Sequence, residues 1–236
     1  MESGPVNTPH SLFRIGKSLV VAIDGPSGSG KSSVSREAAR QLHAAYLDTG
    51  AMYRAVTWHC LAEGVDLGDG AAVEHAARTI ELDISTRPDA ESVTVGGQDV
   101  TAAIREPRVS EAVSAVATTL GARSELIRRQ RQIIADSGHR IVAEGRDITT
   151  VVAPDAEVRI LLTASEAARL RRRGDQLGGT QTDAQLQEQV IGRDTKDSKV
   201  VNFHQAADGV VTVDSSELDF EQTITAVLDV VRTVAH

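Results

Sequence analysis

Of 236 residues only one is a cysteine, Cys60, which excludes an intramolecular disulfide and a metal cluster built on thiolates. Aromatic residues make up only 3%, so an interior must be filled by valine, isoleucine, leucine and alanine within the 41% hydrophobic fraction. That composition suits strands buried on both faces of a parallel sheet. No apolar run approaches the roughly 20 residues of a membrane span, and the first residues carry no signal-type apolar region. The expectation is a cytoplasmic protein without membrane contact. Lysine is scarce as well: Lys17, Lys31, Lys196 and Lys199 are four of the 25 basic residues, leaving 21 arginines. A net charge of −8 argues against a nucleic-acid polymer as partner. An acidic chain with clustered arginines points instead to small anionic substrates, because a guanidinium grips phosphate through two parallel N–H bonds. The seven histidines show no ligand spacing, and His43, His59 and His75 read as surface or packing residues.

What is present begins with Gly25-Pro26-Ser27-Gly28-Ser29-Gly30-Lys31-Ser32, a complete G-x-x-x-x-G-K-S loop followed by Ser33. It stands directly after the apolar run Leu19-Val20-Val21-Ala22-Ile23 and before a helix-like stretch. A strand feeding a glycine loop into a helix N-terminus aims backbone N–H groups and the positive helix end at one point, where a triphosphate sits. Lys31 supplies a charge near the β- and γ-phosphates, and the Ser32 hydroxyl suits Mg²⁺. ATP and Mg²⁺ are therefore expected.

Residues 1–17 carry Pro5, Asn7, Thr8, Pro9 and Ser11 without periodicity and read as a flexible tail. Val34, Ala38 and Leu42 recur at helical spacing, and a second helix is expected over 50–63 with Gly64 as its stop. Strand alternation follows at Ile80, Leu82 and Ile84 and at Val93 and Val95, with turns between, which reads as a small antiparallel insertion over about 79–101. Helical spacing returns from about Ser110, with Leu126, Gln130 and Ile133 on one face, and ends at Gly138. Short apolar strands at 141–143, 158–162 and 210–213 then alternate with helical segments, the pattern of a doubly wound parallel sheet. The final helix opens on a capping box, Asp219 with Gln222, and its expected buried stripe is Phe220, Ile224, Val227 and Val231. Residues 167–193 are rich in Arg, Gln, Gly and Thr and are expected to be mobile and outside the core.

Charged groups recur where strands end. Glu144-Gly145-Arg146-Asp147 leaves the strand at 141–143, and the segment from Asp48 to Arg54 follows what would be the second strand, so both face the ligand-binding edge of an open sheet. Arg169, Arg171, Arg172 and Arg173 form a further cationic group, either ligand-directed or a solvated helix face. Arg193 and Asp197 stand four apart and would form an ordinary surface ion pair on a helix.

The combination of IDGPSGSGKS, LDTGAMYRA, ARSELIRRQR, VAEGRDI with TVVAPDAEVRILLTAS, and RDTKDS closely resembles the bacterial-type cytidylate (CMP) kinases, over nearly the whole chain from about Lys17. The resemblance implies a three-layer α/β phosphate-loop kinase fold with a five-stranded parallel sheet, a three-stranded antiparallel insert and a short arginine-bearing lid. It divides the chain into a core of 18–64 and 119–236, a monophosphate-binding insert of 65–118 and a lid over 167–190. It implies Mg-assisted transfer from ATP to CMP and dCMP by a monomer. By position, Arg54 and Arg146 become clamps on the acceptor phosphate, assisted by Lys31. Thr49, Arg123 and Asp147 read cytosine, Ser114, Arg193 and Asp197 meet the sugar, and Arg169 and Arg173 reach ATP. The pattern departs at Val200, where the family carries an arginine, next to Lys199. Two other readings use the same loop: a kinase for another small molecule, and a nucleotide-dependent switch, though the chain has no N-K-x-D-type guanine-reading tetrapeptide.

Overall fold

The computed structural model describes residues 18–176, 178 and 182–235; the expected tail over 1–17 lies outside them, as do 177 and 179–181 of the lid segment. The chain begins with β1 (Leu19–Asp24), the phosphate loop, α1 (Lys31–Gln41), β2 (Ala45–Asp48) and α2 (Thr49–Ala62). Next come α3 (Gly70–Thr79), β3 (Leu82–Ile84), β4 (Val93–Val95), β5 (Gln98–Asp99), a 3₁₀ turn (Ala103–Arg105) and α4 (Pro107–Thr118). The core resumes with α5 (Leu120–Asp136), β6 (Arg140–Gly145), a π turn (Ile148–Val152) and β7 (Val158–Thr163). Then follow α6 (Glu166–Gln176), α7 (Asp183–Gln187), a second π turn (Glu188–Gly192), α8 (Arg193–Asp197), β8 (Val211–Asp214) and α9 (Phe220–Val234).

Five parallel strands run in the order β2-β6-β1-β7-β8, and β3-β4-β5 form a separate three-stranded antiparallel sheet. β1 is central and entirely buried, paired with β6 on one side and β7 on the other. Because side chains alternate along a strand, Leu19, Val21 and Ile23 enter a core shared with α1 and α9, while Val20 and Ala22 enter one shared with α2 to α5 and the small sheet. Helices on both faces give the three layers expected. Full burial of a side chain such as Ile23 or Ile160 contributes about 1.5–3 kcal/mol. The chain crosses from one side of β1 to the other between β6 and β7, which opens a crevice at the carboxyl edge of β1.

Four local expectations are corrected. The helical run from Ser110 is two helices, because Thr119 turns extended (φ −78°, ψ 107°) between α4 and α5. In α5 the buried position is Ile134 rather than Ile133, beside Leu126 and Gln130. In α9 the capping box forms and Ile224, Val227 and Val231 are buried, but Phe220, in the opening turn, is exposed beside the phosphate-loop crevice. The segment 167–193 is not wholly outside the core either, since Ala168 and Val190 are buried.

Candidate functional site

A cleft of about 550 Å³ lies at the carboxyl edge of β1, with the phosphate loop on one wall and arginines from α2, α5, β6, the insert and the 167–197 segment on the other. Local chemistry dictates the loop's shape. Gly28 and Gly30 adopt φ 76° and 87°, conformations L side chains rarely take. A Cβ on Gly25 would lie 2.2 Å from the Leu162 carbonyl oxygen, so strand β7 permits only glycine there.

The donor wall holds Lys31, Ser32 and Glu144. Ser32 Oγ donates to Glu144 Oε1 at 2.6 Å, and Lys31 Nζ stands 3.9 Å from Glu144 Oε2. Burial pulls the Lys31 ammonium down to about 8; Glu144 opposes this, while Arg146 and Arg193 add to it. Burial, with Asp48 nearby, raises Glu144 above the usual carboxylate range against the pull of Lys31 and Ser32. Ser29 Oγ is buried without a hydrogen-bond partner. The hydroxyl–carboxylate oxygens of Ser32 and Glu144 are hard donors of the kind Mg²⁺ takes. No group of three metal-ligating side chains occurs among the described residues, so phosphate oxygens and water must complete such a shell.

The acceptor wall is a set of arginines, of which Arg54, Arg105, Arg123, Arg146 and Arg193 are paired with carboxylates. Asp48 caps α2 through the Ala51 amide (2.8 Å) and grips Arg54 Nη2 (3.0 Å), with Arg105 at 3.9 Å. Burial works against ionised Asp48, yet Arg54 and Arg105 keep it below its ordinary value. Arg146 donates to the Gly25 carbonyl (2.9 Å), pairs with Asp194 (2.8 Å) and Asp197 (3.3 Å), and stacks over Phe203 at 4.4 Å. Arg123 pairs with Asp147. Burial nevertheless pushes Asp147 up to about 6, Arg123 resisting and Asp24 reinforcing. Ser114 Oγ donates to Asp197 (2.9 Å), and Thr49 Oγ1 donates to the Glu144 carbonyl (2.8 Å). Three guanidinium groups keep a buried Nε–H without a hydrogen bond: Arg54 and Arg193 on the cleft, the latter 3.6 Å from Asp197 Oδ2, and Arg169 beneath the loop. Burial and Arg146 lower Arg193 to about 10, and burial with Arg54 and Arg105 lowers Arg173.

Two sequence-based placements differ. Asp197 is 4% exposed and serves Ser114, Arg146 and Arg193, so Arg193 and Asp197 are no surface pair. Arg169, expected at ATP, is turned beneath the loop, where it pairs with Asp194 and donates to the Ser27 carbonyl. Arg173 lines the cleft, as does Arg172, which donates to the carbonyls of Ser29, Ser215 and Leu218. His43 and His75 are exposed and His59 is half-buried.

Four residues with a part in this geometry carried no signal strong enough to single them out. Arg105 ends the 3₁₀ turn and reaches the cleft, but nothing local distinguishes it from other arginines. Glu91 joins it to Arg36 of α1 (2.7 Å), a tie between elements 55 residues apart in sequence. Asp24 takes the Ile148 amide (2.7 Å) and both the amide (2.9 Å) and hydroxyl (2.6 Å) of Thr149, which fixes the chain just after Asp147. Its position at a strand end beside the loop was the available clue. Asp194 is the fourth, in the midst of RDTKDS.

The model of the family described as cytidylate kinase matches residues 21–233. A cytidylate kinase of Cutibacterium acnes is 49% identical over 215 residues, covering 90% of this chain and 96% of that one. Another, of Rhodococcus opacus, is 48% identical over 218 residues, covering 91% and 95%. Among solved structures, a gluconokinase from Sinorhizobium meliloti 1021 has a TM-score of 0.50 at 14% identity, covers 92% of this chain and 94% of its own, and shows the fold alone. The chain belongs to the cytidylate kinase family.

Proposed function

We propose that this protein transfers the γ-phosphoryl group of ATP to CMP and dCMP, yielding the diphosphates and ADP. The observation that carries the reading is a single cleft in which a phosphate loop faces buried, unmet guanidinium N–H groups of Arg54 and Arg193. The acceptor is already an anion, so no strong base is required. Positioning and neutralisation of two polyanions must supply the catalysis. An oxygen of the CMP phosphate attacks the γ-phosphorus as the bond to the β-bridging oxygen breaks, and ADP leaves with that electron pair. Lys31 and the free backbone amides of the loop from Gly25 to Ser33 cradle the donor; Pro26 carries no N–H and the Ser27 amide is taken by Asp194. Arg54 and Arg146 bind the acceptor phosphate, with Arg105 beside them. Arg173 spans the space between, where charge spreads over the equatorial oxygens. Ser32, with Glu144 beside it, would hold a Mg²⁺ ion, which would supply further neutralisation of the donor phosphates.

Cytosine differs from uracil by an exocyclic amine that donates where uracil accepts. Asp147 accepts from that amine with Thr49 beside it, Arg123 donates to the ring carbonyl, and Ser114, Arg193 and Asp197 contact the sugar. A site whose buried acceptor requires a donor rejects the wrong base strongly, because its own group is otherwise left unpaired. The segments 65–118 and 167–190 are, on the same reading, the monophosphate-binding insert and the lid. The enzyme is read as a monomer of the cytoplasm; among the described residues the exposed large apolar side chains, Leu120, Val200, Val211, Phe220 and Val234, are spread over α5, the segment after α8, β8 and the two ends of α9, which supports the monomer. Steady-state rates with ATP and CMP, dCMP or UMP test the assignment. CMP and dCMP are expected to be good substrates and UMP poor; equal turnover of UMP and CMP sinks the role given to Asp147.

A further inference from the structure

The two ends of the arginine-bearing segment meet the phosphate loop at one residue. From α6, Arg169 Nη1 donates to the Ser27 carbonyl at 3.0 Å. From α8, Asp194 Oδ1 accepts the Ser27 amide, also at 3.0 Å. An ion pair between Arg169 and Asp194 closes the ring. Both side chains are almost out of solvent, at 8% and 3% exposure. Backbone packing reinforces the contact, since a Cβ on Gly28 would lie 2.9 Å from the Arg169 carbonyl oxygen. The loop's own tethers are long by comparison: Ser29 N to the Pro26 carbonyl is 3.4 Å, and Lys31 Nζ to the same oxygen is 3.5 Å. At such lengths a hydrogen bond is weak, whereas charge-assisted bonds near 3 Å are strong. The start of the loop thus takes its shape from outside.

We infer that Arg169 and Asp194 are positioning residues that staple Ser27 and thereby set the donor-phosphate cradle, without touching the nucleotide. The acid does not present bare negative charge to the triphosphate, because Arg146 also grips it, at 2.8 Å. Arg169 is the cleaner handle, as Asp194 is shared with the acceptor-side clamp. Holding donors where charge arrives spares reorganisation at the moment of binding.

The inference rests on the proposed kinase reading only for the identity of the donor, so Mg·ATP binding is measured by calorimetry without acceptor, and KM values for ATP and CMP are compared. Arg169→Ala is expected to weaken ATP binding about tenfold or more, the loss of a charged hydrogen-bonding group, with KM for CMP changed less than about twofold. ATP affinity within twofold of wild type overturns the staple, and so does an equal loss for both substrates. Should Arg169→Ala fail to fold, Arg169→Lys keeps the charge but not the fork. ATP binding weakened about threefold or more then supports the staple, and wild-type affinity overturns it. Wild-type protein that binds ATP but does not turn over CMP contradicts the acceptor assignment alone.

Discussion

The two walls of the cleft are built by different means. The donor wall comes from eight consecutive residues, Gly25 to Ser32, whose glycines and helix junction create a cradle from backbone groups. The acceptor wall is drawn from α2, the 3₁₀ turn, α5, the end of β6 and α8, and works through side chains that carboxylates hold in place. A backbone cradle recognises what all nucleoside triphosphates share. On the proposed reading, side chains gathered from distant elements choose the particular acceptor.

Substitutions on either wall test that division. The largest effect is expected on the donor wall. Lys31→Ala should lower kcat by about 10³-fold, as for removal of a preorganised charge at a transition state, with the fold unchanged by circular dichroism. Near-normal turnover in that variant would show that the loop lysine has no part in transfer.

On the acceptor wall, Asp147→Asn should reduce the preference for CMP over UMP by about 100-fold, the scale of a lost polar requirement, while KM for ATP stays put. The pH profile sharpens the point. With its value raised to about 6, Asp147 takes up a proton as pH falls through that range and becomes a weaker, uncharged acceptor for the amine. KM for CMP should therefore rise more steeply below about pH 6 in the wild type than in the asparagine variant, where only protonation of the CMP phosphate, near the same pH, remains. A parallel rise in both would place the titration elsewhere.

The smallest effect concerns the tie between walls. Glu91 bonds Arg36 of the loop helix and Arg105 of the acceptor side. Partly exposed pairs of this kind contribute up to about 1 kcal/mol, so Glu91→Gln should raise KM for CMP by no more than about fivefold. A comparable change in KM for ATP would mean that the two walls move as one.

The same contrast explains what was legible in the sequence. The loop is contiguous and its residue types have one main use, so strand, turn and helix could be read together. The parallel sheet was equally readable from short apolar strands separated by helices, and the final helix from Asp219 and Gln222. Long-range pairing left weaker traces. That Arg169 would be taken by Asp194, 25 residues away, or that Asp197 would be buried among Ser114, Arg146 and Arg193, cannot be deduced from spacing, because an i,i+4 pair looks the same on a wet surface and under a lid. The break at Thr119 leaves no mark in the sequence, since apolar periodicity resumes after it. The type of Phe220 points to the core, while the cap at Asp219 turns the opening of α9 toward the cleft.

The charges lining the cleft have a further consequence at long range. Its walls carry eight cationic side chains against five acidic ones, whereas the whole chain stands at −8. A nucleotide therefore approaches through an unfavourable outer field and meets attraction only inside, within a Debye length of about 8 Å at physiological ionic strength. Moderate salt screens the outer repulsion first and should ease entry, and high salt then weakens capture. Initial rate at limiting CMP should accordingly pass through a maximum as ionic strength is raised, which a uniformly basic surface would not produce.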